Sequence, residues 1–335
     1  MSSAIFLAAL LVFINCKNNA GDAVGKNDSN DSVKTFYESI IKLGNGFIDV
    51  FNAFSGLVAD TFFKADPKKS DVKIYFESIS KTLTETKNKL GEKLGSSAGK
   101  GENSSSGKAS VKSAVDEVSK WLEEMITAAG DAATKGGTGG NNEKIGDAAN
   151  KGAVADAGSV RGIAKGIKGI VDAAGKAFGG DALAGVAKVA DDAAGANANA
   201  GKLFAGANGG AAADAAEIAK AAGAVSAVSG EQILKAIVDA AGDKANQAGA
   251  AAGAEAKNPI AAAIGTDDAG AAFNDDGMKK RNDKIAAAIV LRGVAKGGKF
   301  AAAANDGKKE SVKSAVESAV DEVKRMVRRD DKSCW

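Results

Sequence analysis

The sequence predicts an all-α protein, an elongated bundle of amphipathic helices joined by glycine-rich loops. Three observations carry that prediction. Apolar residues recur at helical spacing in stretch after stretch, as in Val72, Tyr75, Phe76, Ile79, Leu83 and Leu90. Pro67 and Pro259 are the only two prolines in 335 residues, so glycine alone punctuates most of the chain. Hydrophobic residues make up 45% of the chain but aromatics only 5%, so its middle must pack through Ala, Val and Ile. Small side chains of that kind let helices approach closely.

The elements follow in order. Near its start the chain carries IFLAALLVFINC at 5–16, whose apolar run ends at Ile14. That run is about half of the roughly 20 residues a membrane-spanning helix needs, and it has the size of a signal-peptide hydrophobic region. It stops at Cys16, and a polar stretch follows. Residues 1–15 therefore read as a lipoprotein signal peptide, Cys16 as the lipidated N-terminus left by cleavage, and 16–32 as a flexible tether. Burial contributes about 0.8 kcal/mol per methylene, so two acyl chains anchor firmly where one holds only marginally.

Residues 33–109 read as an N-terminal helical region. Val33, Phe36, Tyr37 and Ile40 share one helical face, and Phe47, Val50, Phe51, Phe54, Leu57 and Val58 share another. VKTFYESI at 33–40 nearly returns as VKIYFESI at 72–79, which is what a duplicated helix would leave. GSSAGKGENSSSGK at 95–108 reads as a linker. It fails as a phosphate loop, because five residues separate Gly101 from Gly107 and Ala109 stands where Ser or Thr would hold magnesium.

SVKSAVDEVSKWLEEM at 110–125 starts the next helix and nearly returns as SVKSAVESAVDEVKRM at 311–326. Copies so far apart make no solenoid. They bracket a region, 110–310, and leave 311–335 as a C-terminal helix and tail; the two copies are expected to pack side by side. Inside the bracket, apolar islands at 160–178, 215–241, 258–265 and 278–300 alternate with polar pieces at 135–150, 191–210, 242–257 and 265–277. The polar pieces read as surface loops. The glycines of GIAKGIKG either admit close helix packing or interrupt a helix. KIAAAIVLRGVAK is apolar nearly all round and predicts a buried helix, with Asn282 or Asp283 as its cap and Gly297-Gly298 as its stop.

Histidine is absent, which excludes Ser-His-Asp, Cys-His and histidine-ligated zinc chemistry. Cys16 and Cys334 lie near opposite ends and match no metal spacing. No pair of carboxylates stands out as acid and base, and Glu123-Glu124 reads as a solvated helix face. The sequence thus predicts no enzyme, no cofactor and no metal. A net charge of +2 gives no reason to expect nucleic acid as a partner. Lys279, Lys280, Arg281 and Lys284, extended by Arg292, Lys296 and Lys299, form a candidate glycosaminoglycan-binding cluster. The interleaved Asp275, Asp276 and Asp283 favour a plain solvated face instead. Trp121 reads as a core anchor.

Several stretches carry a family likeness: FINCKNN, KLGNGFIDVFNAFSGLVAD, DPKKSDVK, GIAKGIKGIVDAAG, AAGAVSAVSGEQILKAIVDAA, AKNPIAAAIG and MKKRNDKIAAAIVLRGVAKGGKFA. They resemble the variable major protein-like surface lipoproteins of Lyme-group Borrelia, which are similar to the variable large proteins of the relapsing-fever group. The likeness runs from Cys16 to about Met326. It implies a helical lipoprotein of the cell outer membrane, surface-exposed, lipid-anchored, without enzymatic activity and with both chain ends membrane-proximal. It also implies antigenic variation: recombination rewrites a central cassette between short repeats, and host antibodies lose their target. The repeats at 110–118 and 311–323 sit where such flanks would lie. The polar pieces would then vary, while the apolar islands stay constant and largely buried. An adhesin for host glycosaminoglycans is the alternative.

Overall fold

Helical spacing turns the apolar residues of the first described helix to one side. That helix is α1 (Lys69–Ser97), and Val72, Tyr75, Phe76, Ile79 and Leu83 are buried along its inner face. The computed structural model describes residues 68–97, 105–136, 143–177, 180–208, 213–245, 247–250, 255–303 and 306–329. Cys16, the tether, the stretches at 33–40 and 47–58, and Cys334 lie outside the described residues.

α1 packs on α2 (Ser105–Gly136), whose Val118, Leu122, Met125 and Ala129 are buried, and Trp121 lies half-buried against the same core. α3 (Ala157–Ala177) runs antiparallel along the other side of α2. The glycines of GIAKGIKG decide how close these two helices come. A Cβ on Gly162 would lie 2.6 Å from Lys135 Cβ, one on Gly169 would lie 2.6 Å from Ala128 Cβ, and one on Gly166 would overlap Ala132 Cβ. They admit close packing and interrupt nothing.

The island at 215–241 divides into two helices, α4 (Ala215–Ser226) and α5 (Gly230–Gly242). The break falls at Ser229, whose side chain accepts from Gln232 N while the Ser229 amide donates to Gln232 Oε1. A capping box is a start signal strong enough to restart a helix inside an apolar run. Asp214 and Glu217 form the same device on α4. α6 (Pro259–Ile264) starts on the Asn258 cap with proline at its first position and ends at Gly265, whose φ of 72° few other residues adopt. The short α7 (Asp276–Lys279) leads into α8 (Asn282–Val294).

α8 is the buried helix the sequence predicts, with Ile285, Ala286, Ala287, Ala288 and Leu291 all fully enclosed. α6, α4, α5 and α9 (Asp306–Arg329) pack around it. Its ends differ from expectation. Arg281, not Asn282 or Asp283, is the N-cap residue, and no side chain caps the helix. Asn282 accepts a bond from Asn197 instead, and Asp283 is taken by Arg281. The helix also stops at Val294, before Gly297-Gly298, because the next amides are pulled elsewhere: Lys296 N donates to Ser159 Oγ and Gly297 N to Glu143 Oε2. The chain then forms β2 (Phe300–Ala301), which pairs in parallel with β1 (Ala148–Ala149), Ala148 opposite Phe300.

Three further expectations change. The linker at 95–108 is helical at both ends, since α1 runs to Ser97 and α2 begins at Ser105, while 98–104 lie outside the described residues. The two repeat-bearing helices do not pair side by side: α2 lies between α1 and α3, whereas α9 lies on α4, α5 and α8. The polar pieces are not pure surface. Ile145, Leu203, Phe204 and Phe273 all enter the core from them, the middle two through a 3-10 turn at Ala198–Phe204.

Candidate functional site

A lone arginine inside an apolar helix must either reach solvent or find partners for all five of its N–H groups. Arg292 is fully buried near the end of α8 and finds them all on main-chain oxygens. Nε donates to Lys299 O at 3.2 Å, Nη1 to Ala263 O at 3.1 Å and Ile264 O at 3.3 Å, and Nη2 to Ala153 O at 2.6 Å and Ala205 O at 3.2 Å. The last carbonyls of α6 carry the negative end of its dipole, so a cation is well placed there. The guanidinium also sits 5.6 Å from the centroid of the Phe204 ring. Burial holds its pKa down at about 9, which leaves it charged at neutral pH. One side chain therefore ties together the segment before α3, the end of the 3-10 turn, the end of α6 and the strand-forming loop at 299.

Lys69 does the same for the start of α1. Its ammonium is buried, donates to Gly298 O and faces Glu143 Oε2 at 3.8 Å. Burial lowers its pKa to about 8, against the raising influence of Glu143 and Asp147. Ser159 adds a third tie, donating to Gly136 O at 2.7 Å. With the bonds from Lys296 N to Ser159 and from Gly297 N to Glu143, four side chains address the backbone of 295–302: Arg292, Lys69, Ser159 and Glu143. Periodicity cannot reveal such ties. The signal that was available is the placement of Arg292 in AAAIVLRGVA, a charge where the helix has no solvent face.

Around this frame lie the polar connections, exposed along much of 180–196, 207–208 and 266–276. The candidate basic cluster sits among them, and three of its four members are already paired with acids. Lys279 and Lys280 both pair with Asp276 at 2.8 Å, and Arg281 makes a two-pronged pair with Asp283 at 3.0 and 2.6 Å. Hydrogen bonds from the two lysines hold the Asp276 pKa at about 2, and the bond to Asp276 raises that of Lys280. Lys284, in the first turn of α8, reaches back toward Gly277 of α7, its Nζ 3.7 Å from where a Cβ on that glycine would lie. Arg292 is not part of any surface cluster, because its charge is spent in the core, and Lys299 pairs with Asp147 at 3.4 Å. Among the described residues no three His, Cys, Asp or Glu side chains gather as a metal site, and no helix is long and apolar enough to cross a membrane.

A family model described as Borrelia lipoprotein matches residues 47–328. The chain belongs to this Borrelia lipoprotein family. Variable large protein 14 of Borrelia hermsii is 35% identical over 327 residues, covering 96% of this chain and 86% of the relative. Variable large protein 17 of the same organism is 36% identical over 331 residues, covering 96% and 84%. The crystal structure of the Lyme disease variable surface antigen VlsE of Borrelia burgdorferi aligns with a TM-score of 0.65 at 45% identity, over 82% of this chain and 92% of that one. The family is one of surface-antigen lipoproteins, and this chain shares the all-α fold of the VlsE structure.

Proposed function

We propose that this protein is an outer-surface antigen, anchored through lipid on Cys16, whose 110–310 region is rewritten by recombination so that host antibodies lose their target. The observation that carries the reading is the split between a buried frame tied to main-chain carbonyls and the exposed positions of the connections, which contribute little to it even where Leu203, Phe204 and Phe273 root those connections in the core. A carbonyl oxygen is present whatever side chain its residue bears. Arg292 and Lys69 can therefore hold their partners while surface residues change, and exposed substitutions away from such features typically cost no more than about 0.5 kcal/mol. The test is to sequence this gene from many clones of one strain before and after growth in an antibody-competent host. Changes concentrated in exposed positions between 110 and 310, with Arg292, Lys69 and the buried helices constant, are expected. A gene unchanged under that pressure would remove the reading. Lipid attachment is tested separately, by loss of radiolabelled palmitate from Cys16→Ser.

The adhesin alternative draws less support. Lys279, Lys280 and Arg281 each have an aspartate within 3.0 Å, so a sulfated chain would have to displace pairs already made. No retention on immobilised heparin at physiological salt is expected. Retention abolished by replacing those three residues with alanine would restore the alternative.

A further inference from the structure

Two polar connections 60 residues apart in sequence meet at the surface. Their roots are buried together: the Phe204 and Phe273 rings pack at 5.6 Å between centroids, and Arg292 donates to Ala205 O at one root and Ile264 O at the other. Above the roots the chains bond backbone to backbone. Phe273 N donates to Ala198 O at 2.9 Å, Gly206 N to Asp268 O at 3.0 Å and Asn208 N to Asp267 O at 3.2 Å. Three glycines sit where these strands of chain cross. A Cβ on Gly201 would come within 2.8 Å of Phe273 N, one on Gly206 would overlap Asp267 Cα and Thr266 O, and one on Gly270 would overlap Lys202 O. Each obstacle is backbone, which cannot rotate away as a side chain can. Outward, Ala207, Asn208, Asp267, Asp268, Ala269 and Ala271 are exposed.

We propose that residues 198–208 and 266–273 form one interlocked unit, fastened by Gly201, Gly206 and Gly270, that presents side chains from both segments to a single antibody paratope. The proposal rests on the antigen reading for its partner but not for its geometry. The unit fixes a shape and leaves its outward chemistry open. An exchange that altered Ala207 or Ala269 would keep the shape, whereas one that placed any side chain at Gly206 or Gly270 would spread both segments at once. A paratope would meet a discontinuous surface that neither segment supplies alone.

The test is amide hydrogen exchange on the purified full chain, with no antibody present, so that it stands or falls apart from antigenic variation. In Gly206→Ala, amides at 267–273 should exchange about tenfold faster or more, while those of α1 and α2 keep their wild-type rates. In Ala207→Ser with Ala269→Ser, both segments should match wild type. Unchanged rates at 267–273 in Gly206→Ala, or a rise shared equally by α1 and α2, would overturn the proposal. Should Gly206→Ala not fold, the wild-type chain decides in a denaturant series: the amides of Gly206, Asn208 and Phe273 should share one opening with one denaturant dependence. Separate openings would overturn it.

Discussion

Replacing Arg292 with methionine isolates what the buried guanidinium contributes. Methionine fills most of the volume and supplies no donor, so five hydrogen bonds vanish. The oxygens they leave are not equivalent. Ala153 O keeps a bond from Lys299 N at 3.2 Å, Lys299 O keeps one from Ala153 N at 3.1 Å, and Ile264 O keeps one from Ala155 N at 3.1 Å. The carbonyls of Ala205 and Ala263 lose the donor that reaches them. Stranding a buried acceptor costs about 1–3 kcal/mol, so two suggest roughly 2–6 kcal/mol. Relief from burying a charge offsets part of this, since the depressed pKa shows that burial opposes the charged form. The expected loss is about 3 kcal/mol, measured as the change in unfolding free energy from urea denaturation at pH 7. Arg292→Lys should recover little of it, because three donors on a flexible stem cannot span what a planar fork of five reaches. A loss under about 1 kcal/mol for methionine, or full recovery by lysine, would show that the carbonyl ties are incidental.

Other expectations follow from the same geometry. Gly166→Ala places a Cβ on Ala132 Cβ and 3.0 Å from Ala128 O, so α2 and α3 must separate and the melt should show a loss of about 2–3 kcal/mol. Gly130→Ala on α2 meets nothing within 4 Å and should instead stabilise by up to about 1 kcal/mol. Ser229→Ala removes the cap of α5 and should cost about 1 kcal/mol in the same assay. Lys69 has a folded pKa near 8 against 10.5 outside the fold, so the unfolded chain holds that proton more tightly and stability should rise with pH from about 8. Tyr75, raised by burial above its usual 10.0, acts oppositely higher up, so the comparison of wild type with Lys69→Met is made between pH 8 and 10, where the variant should rise less steeply.

Most of the helical frame was legible because helical burial leaves a period in the sequence. The stripes of α1 and α2 and the all-round apolar α8 fall where the spacing of Val72 to Leu90, Val115 to Met125 and Ile285 to Val294 puts them. What periodicity missed was set by local chemistry or by distant partners. The start of α5 inside an apolar run depends on the reciprocal bonds of Ser229 and Gln232, a signature present in SGEQ but overshadowed by the run around it. The end of α8 depends on Ser159 and Glu143, more than 130 residues away, which draw off the Lys296 and Gly297 amides; no local signal announces that. The basic cluster was half legible. Asp276 and Asp283 in the sequence foretold pairing for Lys279, Lys280 and Arg281, whereas Arg292 looked like a neighbour of theirs only along the chain.

The direction of these ties matters for how freely the surface can change. A bond between two side chains needs both residues, so altering one end strands the other unless both change together. A bond from a side chain to a carbonyl needs only one residue and a conserved path of the backbone. Arg292 and the Lys69 to Gly298 bond are of the second kind. The Lys202–Glu217 pair is of the first kind: the lysine stands in the 3-10 turn, and the carboxylate, only 11% exposed, belongs to the capping box of α4. That carboxylate also accepts the Asp214 amide at 2.8 Å, so it keeps a partner if the lysine is lost. The lysine end is 41% exposed, where an ion pair contributes at most about 1 kcal/mol. Position 202 can therefore change alone at small cost, whereas Glu217 cannot, and the asymmetry places the constant end of the pair in the helix and the changeable end in the connection.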